Sequence, residues 1–102
     1  MKRYKLRFTL EADEDLERLY DFLLQYDVQV AERAMETIHA SLDMLRQFPF
    51  ICRKAAGGAH GALIRELVIT FGVSGFVALF EIDDDETVSI TAVRHQRESD
   101  YH

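Results

Sequence analysis

The spacing of apolar residues changes along this chain, and the order of those changes constrains the fold more than any other feature. Residues 3–8 alternate, with Tyr4, Leu6 and Phe8 on one side and basic residues on the other. This period of two predicts a half-buried strand with a basic outer face. Helical spacing follows over two segments before strand-like runs return. The isolated first strand must hide its apolar side, so we expect it to join the sheet formed by the later strands.

Two amphipathic helices are predicted after this strand. Thr9 offers an N-cap and is followed by acidic residues, which the helix dipole favours at that end; Asp27 is the cap of the second helix. The stripes with i, i+4, i+7 spacing are Ala12, Leu16, Leu19, Tyr20 and Leu23, then Val30, Ala34, Ile38, Leu42 and Leu45. The second helix ends at Phe48-Pro49, because the residue before a proline is pushed out of the helical region. The short connection at Asp27 predicts an antiparallel helical hairpin.

Three strand-like runs complete the chain after a Gly/Ala-rich stretch, residues 50–62, that is predicted to be a loop. The runs cover residues 63–71, 76–82 and 87–94, and the turn sequences GVSG and DDDE separate them. The predicted order is β-α-α-β-β-β, an α+β fold with the helical hairpin packed on one face of an antiparallel sheet. The length is that of a single domain over residues 1–102.

Charge and cysteine content narrow the class of protein. The formal net charge is −6, which repels nucleic-acid phosphates at long range and disfavours a wide RNA- or DNA-binding face. Cys52 is the only cysteine, which excludes an internal disulfide framework and is typical of a reducing cytoplasm. No apolar run approaches the roughly 20 residues of a membrane span. We therefore expect a cytoplasmic protein that does not contact a membrane.

Five segments, in this order and spacing, resemble a known superfamily. They are YKLRFTLEADEDLERLYDFL, AERAMETIHASLDMLRQFP, LIRELVI, FVALFEID and ITAVRHQRES. The chain resembles the RelE/ParE superfamily of toxins from bacterial type II toxin–antitoxin systems, and is most similar to the ParE branch. The resemblance covers nearly the whole chain.

The resemblance implies a toxin of the kind found in plasmid stabilisation systems, neutralised by a cognate antitoxin whose extended or helical tail wraps around it. A ParE-like toxin inhibits DNA gyrase and is not an enzyme. A RelE-like toxin is a ribosome-dependent mRNA endonuclease and would contact the ribosome and mRNA. A third alternative is a non-toxic interaction module that retains the fold and antitoxin binding. The resemblance implies no cofactor, and either a homodimer or a hetero-oligomer with the antitoxin is compatible with it.

Three residues are candidates for catalysis if the protein cleaves RNA. Arg65 matches the arginine that stabilises the scissile phosphate in RNA-cleaving relatives, a role suited to a planar, permanently charged group. His95 matches a His-x-Arg ending and is a candidate acid or base, with Tyr101 as a further proton donor. The alternatives are structural: an ion pair between Arg65 and an acidic side chain, and a hydrogen bond from His95 that fixes the strand end. Alternation also places Arg65 on the apolar side of its strand, which is unusual for a charged residue.

A basic set of residues is the candidate binding surface. Its members are Arg53, Lys54, Arg65, Arg94, His95 and Arg97. The interleaved acidic residues Glu66, Glu98 and Asp100 would weaken RNA binding and favour the ParE-like alternative. Arg53 and Lys54 are also compatible with simple solvation in a loop. The histidines and Cys52 show no metal-ligand spacing, so no metal site is predicted.

Overall fold

A computed structural model describes residues 3–55 and 63–96 of the chain. The helices and strands are β1 (Lys5–Phe8), α1 (Leu10–Leu24), α2 (Val28–Asp43), β2 (Arg53–Lys54), β3 (Ile64–Phe71), β4 (Ser74–Ile82) and β5 (Thr87–His95). Two short 3₁₀ turns, Met44–Arg46 and Pro49–Ile51, connect α2 to β2. The predicted α+β order is confirmed. The structure adds β2 within the stretch that was predicted to be a loop.

The sheet has the strand order β1-β5-β4-β3-β2. Strands β3, β4 and β5 form the predicted antiparallel meander, but β1 runs parallel to β5. The prediction of a wholly antiparallel sheet is therefore wrong, and the sheet is mixed. The reason is that the helical hairpin returns the chain to the end of the sheet where β1 begins: the Tyr4 amide donates to the Arg46 carbonyl at 2.6 Å. β3 starts at that same end, so β5, two hairpins later, runs in the direction of β1.

Both predicted helix caps are present. Thr9 accepts a hydrogen bond from the Ala12 amide at 3.1 Å, and Asp27 accepts one from the Gln29 amide at 2.8 Å. Each bond satisfies an amide that lacks a partner within its helix. Neither helix of the described segments is long and apolar enough to cross a membrane.

The core lies between the helical hairpin and one face of the sheet. Leu19, Ile38 and Leu42 are buried, as the predicted stripes require. The buried sheet residues beneath them are Ile69, Phe76, Ala78, Phe80, Val88, Ile90 and Val93. We call this side of the sheet the covered face, and the opposite side, which carries alternate residues such as Val68, the open face.

A β-bulge in β5 decides which residues near its end reach the covered face. Ile90 pairs with Phe80, but the next residue of β4 pairs with Ala92, so Thr91 has no partner opposite it. The extra residue shifts the alternation, because two residues of the bulged strand oppose one of its neighbour. As a result Ile90 and Val93 both face the helices. His95 follows Val93 onto the covered face, whereas Arg94 points to the open face.

The β3–β4 hairpin closes with a two-residue turn at Gly72 and Val73, between the paired residues Phe71 and Ser74. Gly72 has φ +63°, a backbone conformation that residues with a Cβ atom rarely adopt. A glycine at the first position of a two-residue loop is typical of a type II′ turn. Val73 is fully exposed at the tip. The turn predicted from GVSG is confirmed.

Candidate functional site

Arg65 and His95, the two described candidates for catalysis, lie at opposite ends of the covered face. Arg65 is paired with Phe80 of β4, and His95 is paired with Phe76 of the same strand. Four residues along β4 and two strand spacings therefore separate their Cα atoms by roughly 16 Å. The two side chains occupy separate pockets, which we call the Arg65 pocket and the His95 pocket.

The Arg65 pocket has a volume of about 360 Å³ and mixes both signs of charge. Its lining residues are Tyr4, Phe50, Lys54, Leu63, Arg65, Ile82, Asp84 and Asp85. Arg65 Nη1 donates to the Cys52 carbonyl at 2.7 Å, and its guanidinium lies 5.4 Å from the centroid of the Phe50 ring. The guanidinium is thus held by a backbone acceptor and a cation–π contact. These contacts explain how a charge can lie on the apolar side of β3.

Cys52 lies beneath this contact with 8% of its surface exposed. Burial raises the pKa of the Cys52 thiol, and the positive charge of Arg65 opposes that rise. A thiol in such surroundings stays protonated near neutral pH, and the thiolate is the reactive form. Cys52 therefore serves this region as a packed side chain and a carbonyl acceptor.

Arg53 and Lys54 form β2, so they are fixed on the sheet instead of lying in a loop. Arg53 Nε lies 2.5 Å from Glu66 Oε1 on β3, and the arginine side chain is 70% exposed while the glutamate is 17% exposed. Lys54 lines the Arg65 pocket. Phe50, which sequence reasoning missed, precedes them in the 3₁₀ turn; its segment has no apolar period that would have identified it.

The His95 pocket is larger, about 630 Å³, and mostly apolar. Its lining residues are Arg18, Leu19, Phe22, Leu23, Val73, Ser74, Phe76 and His95. His95 Nε2 and Ser74 Oγ form a hydrogen bond at 3.1 Å, and the Phe76 ring meets the imidazole edge-to-face at 5.7 Å between centroids. These contacts fix the end of β5 against β4.

The rim of the His95 pocket carries exposed apolar side chains that sequence reasoning missed. Phe22 is 53% exposed and Tyr26 is 73% exposed; their rings meet edge-to-face at 5.3 Å. The fully exposed Val73 lies on the opposite rim. The signal available in the sequence was the i, i+4 spacing of Phe22 and Tyr26 outside the core stripe.

Among the described residues, the remaining candidate Arg94 lines neither pocket. Arg94 is paired with Val77 and points to the open face, away from His95. Arg97 and Tyr101 lie outside the described residues. Within residues 3–55 and 63–96, no three His, Cys, Asp or Glu side chains lie close enough together to hold a metal ion.

The basic face of β1 is partly tied into the sheet. Arg7 Nε donates to Ser89 Oγ at 3.0 Å, and Ser89 Oγ donates to Asp83 Oδ2 at 2.5 Å. Ser89 is only 1% exposed, so this network joins β1, β5 and the turn before β5. Lys5 is exposed on the same side of β1.

Two helices on one face of a five-stranded mixed sheet place the chain in the α+β class of folds. The family model for the ParE toxin of the type II toxin–antitoxin system parDE matches residues 6–100, so the chain belongs to that family. The predicted superfamily and branch are confirmed. No curated protein sequence matches the chain.

Two solved structures are similar to this chain. The chromosomal ParDE toxin–antitoxin system from P. aeruginosa superimposes with a TM-score of 0.70 at 19% identity, over 91% of this chain and 96% of that one. The toxin–antitoxin complex RelBE2 from Mycobacterium tuberculosis superimposes with a TM-score of 0.56 at 26% identity, over 92% and 99%. Systems of both branches share the fold, so the target has to be argued from the site.

Proposed function

We propose that this toxin inhibits DNA gyrase in the cytoplasm, does not cleave RNA, and is neutralised by a cognate antitoxin. The observation that carries the proposal is the separation of Arg65 from His95, each held by its own structural contacts. Membership of the ParE toxin family supports the same choice.

Cleavage of a phosphodiester requires an acid, a base and a cationic stabiliser around one phosphate group. Arg65 is turned towards the Cys52 carbonyl, and its pocket also contains Asp84 and Asp85, whose charges repel a phosphate. His95 lies in the other, mostly apolar pocket. This arrangement argues against the ribosome-dependent endonuclease.

Inhibition by binding makes different demands on the surface. Protein interfaces depend on a few apolar or aromatic anchors that are well packed in the complex. Phe22, Tyr26 and Val73 are exposed side chains of this kind beside an apolar pocket. We assign gyrase contact to this rim.

The antitoxin partner is proposed by analogy with the two similar structures, which are a ParDE system and a RelBE2 complex. Exposed apolar residues elsewhere on the surface, including Phe50 and Ile51, are compatible with such a partner. Copurification with the product of the adjacent reading frame tests this part. A chain that elutes alone despite coexpression would contradict it.

A supercoiling assay with purified gyrase tests the target. The wild-type protein should inhibit supercoiling, and Val73→Asp should weaken inhibition because it places a charge on the proposed contact rim. Leu10→Asp is the matched control, since Leu10 is also apolar and 69% exposed but lies at the start of α1. If Val73→Asp and Leu10→Asp inhibit supercoiling equally well, the rim of the His95 pocket is not the gyrase contact.

Messenger cleavage on purified ribosomes tests the alternative. Cleavage by the wild-type protein that disappears in Arg65→Ala and His95→Ala would overturn the gyrase proposal. Induced expression without growth arrest, together with retained antitoxin binding, would instead favour the non-toxic interaction module.

A further inference from the structure

Nearly all of the net negative charge of this chain lies on one helix. α1 carries six acidic side chains and one arginine, which give it a net charge of −5 within a chain whose net charge is −6. The acidic residues are Glu11, Asp13, Glu14, Asp15, Glu17 and Asp21. Only Glu11 and Asp13 belong to the first turn, where the helix dipole favours negative charge. The dipole therefore does not account for the acidic residues further along α1.

Three of these residues, Glu14, Glu17 and Asp21, form an exposed acidic stripe along α1. They lie three and four residues apart, so their side chains are neighbours on the helix surface. Like charges at these spacings destabilise a helix, which means that helix formation does not explain the stripe. Asp15 differs, because its Oδ2 accepts a hydrogen bond from the Val93 amide at 2.9 Å and so joins α1 to β5.

The acidic stripe borders the His95 pocket. It lines a shallow depression of about 550 Å³ together with Arg18, Phe22 and Gln25. Arg18 and Phe22 also line the His95 pocket, so the two concave surfaces share a boundary. Arg18 is the one basic residue among the six that line the depression, and its Nη2 lies 3.5 Å from Asp15 Oδ1. A mostly apolar pocket and an acidic surface thus form one continuous patch.

We propose that the gyrase surface that contacts this patch is basic: an apolar side chain enters the His95 pocket, and Lys or Arg side chains lie against the acidic stripe. This inference rests on the gyrase target proposed above and specifies the chemistry of the partner's surface. Gyrase acts on DNA and therefore carries basic surfaces, because binding to phosphates depends on Lys and Arg. Complementary charges speed association and fix how the two partners are oriented.

Other occupants fit the patch less well. A nucleic acid would bring its phosphates against the acidic stripe, where like charges repel. In a twofold dimer of this chain the same surface patch meets itself, so one acidic stripe would lie near the other. A basic protein surface turns both repulsions into attraction.

Association kinetics with purified gyrase, measured at low and at physiological salt, test the proposal. Glu14→Gln combined with Glu17→Gln removes two charges with little change in side-chain shape. These changes should lower the association rate constant at least about fivefold at low salt, because complementary charges steer the encounter. The difference from wild type should shrink at physiological salt, where the range of the charges falls to about 8 Å.

Glu36→Gln combined with Glu86→Gln is the matched control. It makes the same two chemical changes at exposed positions on α2 and in the turn before β5, and it should retain the wild-type association rate. Val73→Asp provides a contrast on the apolar rim, where loss of a packed contact should act mainly through faster dissociation. A Tm at or above that of wild type shows that the paired variants remain folded.

Each other outcome has a distinct meaning. Equal association rates for the two pairs of variants at low salt overturn the assignment of a basic surface, while the gyrase target stands. Faster association after Glu14 and Glu17 are neutralised means that gyrase presents an acidic surface to the stripe, which also overturns the proposal. Absence of any binding to gyrase at low salt overturns both the assignment and the gyrase target.

Discussion

The Arg65 pocket and the His95 pocket both include residues of β4, yet they differ in what holds their central residue. Arg65 is held by a backbone carbonyl and an aromatic ring in a pocket that also contains two aspartates. His95 is held by a serine hydroxyl and an aromatic edge among mostly apolar side chains. The difference arises from the segments that pack beside each end of the covered face. The β2 segment lines the Arg65 pocket, whereas α1 and the tip of the β3–β4 hairpin line the His95 pocket.

This contrast bears on function because catalysis and recognition use residues differently. Catalytic groups must converge on one reacting centre, whereas binding anchors act over a surface. Two separate pockets fit the second requirement. The ends of the covered face can therefore be altered independently, provided that the core between them remains intact.

The largest expected effect comes from the core that both pockets share. Leu42 is 1% exposed, and Leu42→Ala should lower the free energy of unfolding by about 2–5 kcal/mol, the range for a buried leucine. Denaturant unfolding with one probe at each pocket gives the measurement. The exposed control Leu10→Ala should stay within about 0.5 kcal/mol of wild type. Separate transitions at the two ends would show that the pockets do not share one cooperative core.

The next effect distinguishes the two arginines at the β2 end. Arg65→Ala should cost about 1–3 kcal/mol, because it removes a charge-assisted hydrogen bond and leaves the Cys52 carbonyl without that donor. Arg53→Ala is the control and should cost about 0–1 kcal/mol, since the Arg53 side chain is itself 70% exposed. Equal losses in unfolding experiments would mean that Arg65 does not anchor the β2 segment.

A smaller effect is expected at the opposite end. Ser74→Ala removes the hydroxyl that bonds His95 and should cost about 0.5–1.5 kcal/mol, the usual net value of a neutral hydrogen bond. The His95 ring resonances in NMR spectra should shift, while those of residues around Arg65 should not. A loss larger than that of Arg65→Ala would reverse the proposed ranking of the two ends.

Local sequence signals predicted most of the fold but little of how the sites are assembled. Thr9 and Asp27 were identified as caps because capping depends on the next three residues alone. The bulge at Thr91 was not predictable, because it is a property of the register between β4 and β5 and leaves no mark on the apolar spacing. It nevertheless decides that His95 points to the covered face and Arg94 to the open face.

The Arg65 end shows the same limit. Alternation along β3 correctly put Arg65 on the side of Leu67 and Ile69, but it gave no partner for the charge. That partner is the Cys52 carbonyl, and the ring beside it is Phe50, both from a segment without periodicity. The contacts of such a segment depend on where the rest of the fold positions it, and its own sequence pattern does not give that position. The parallel direction of β1 was missed for the same reason.

The smallest expected effect lies away from both pockets, where Tyr20 of α1 donates a hydrogen bond to Glu32 of α2. This bond raises the pKa of the Tyr20 hydroxyl, with smaller contributions from desolvation and from the charges of Glu32 and Asp21. The pKa in the folded protein thus exceeds the unfolded value of about 10. The stabilisation is therefore fully present below that value and is lost as the pH rises through the folded pKa.

Tyr20→Phe should lower the Tm slightly at neutral pH, and its difference from wild type should disappear once Tyr20 ionises. Tyr26→Phe makes the same chemical change on an exposed neighbouring residue and should match wild type throughout. A Tm difference for Tyr20→Phe that persists at high pH would assign the effect to packing between the helices instead of to the hydroxyl.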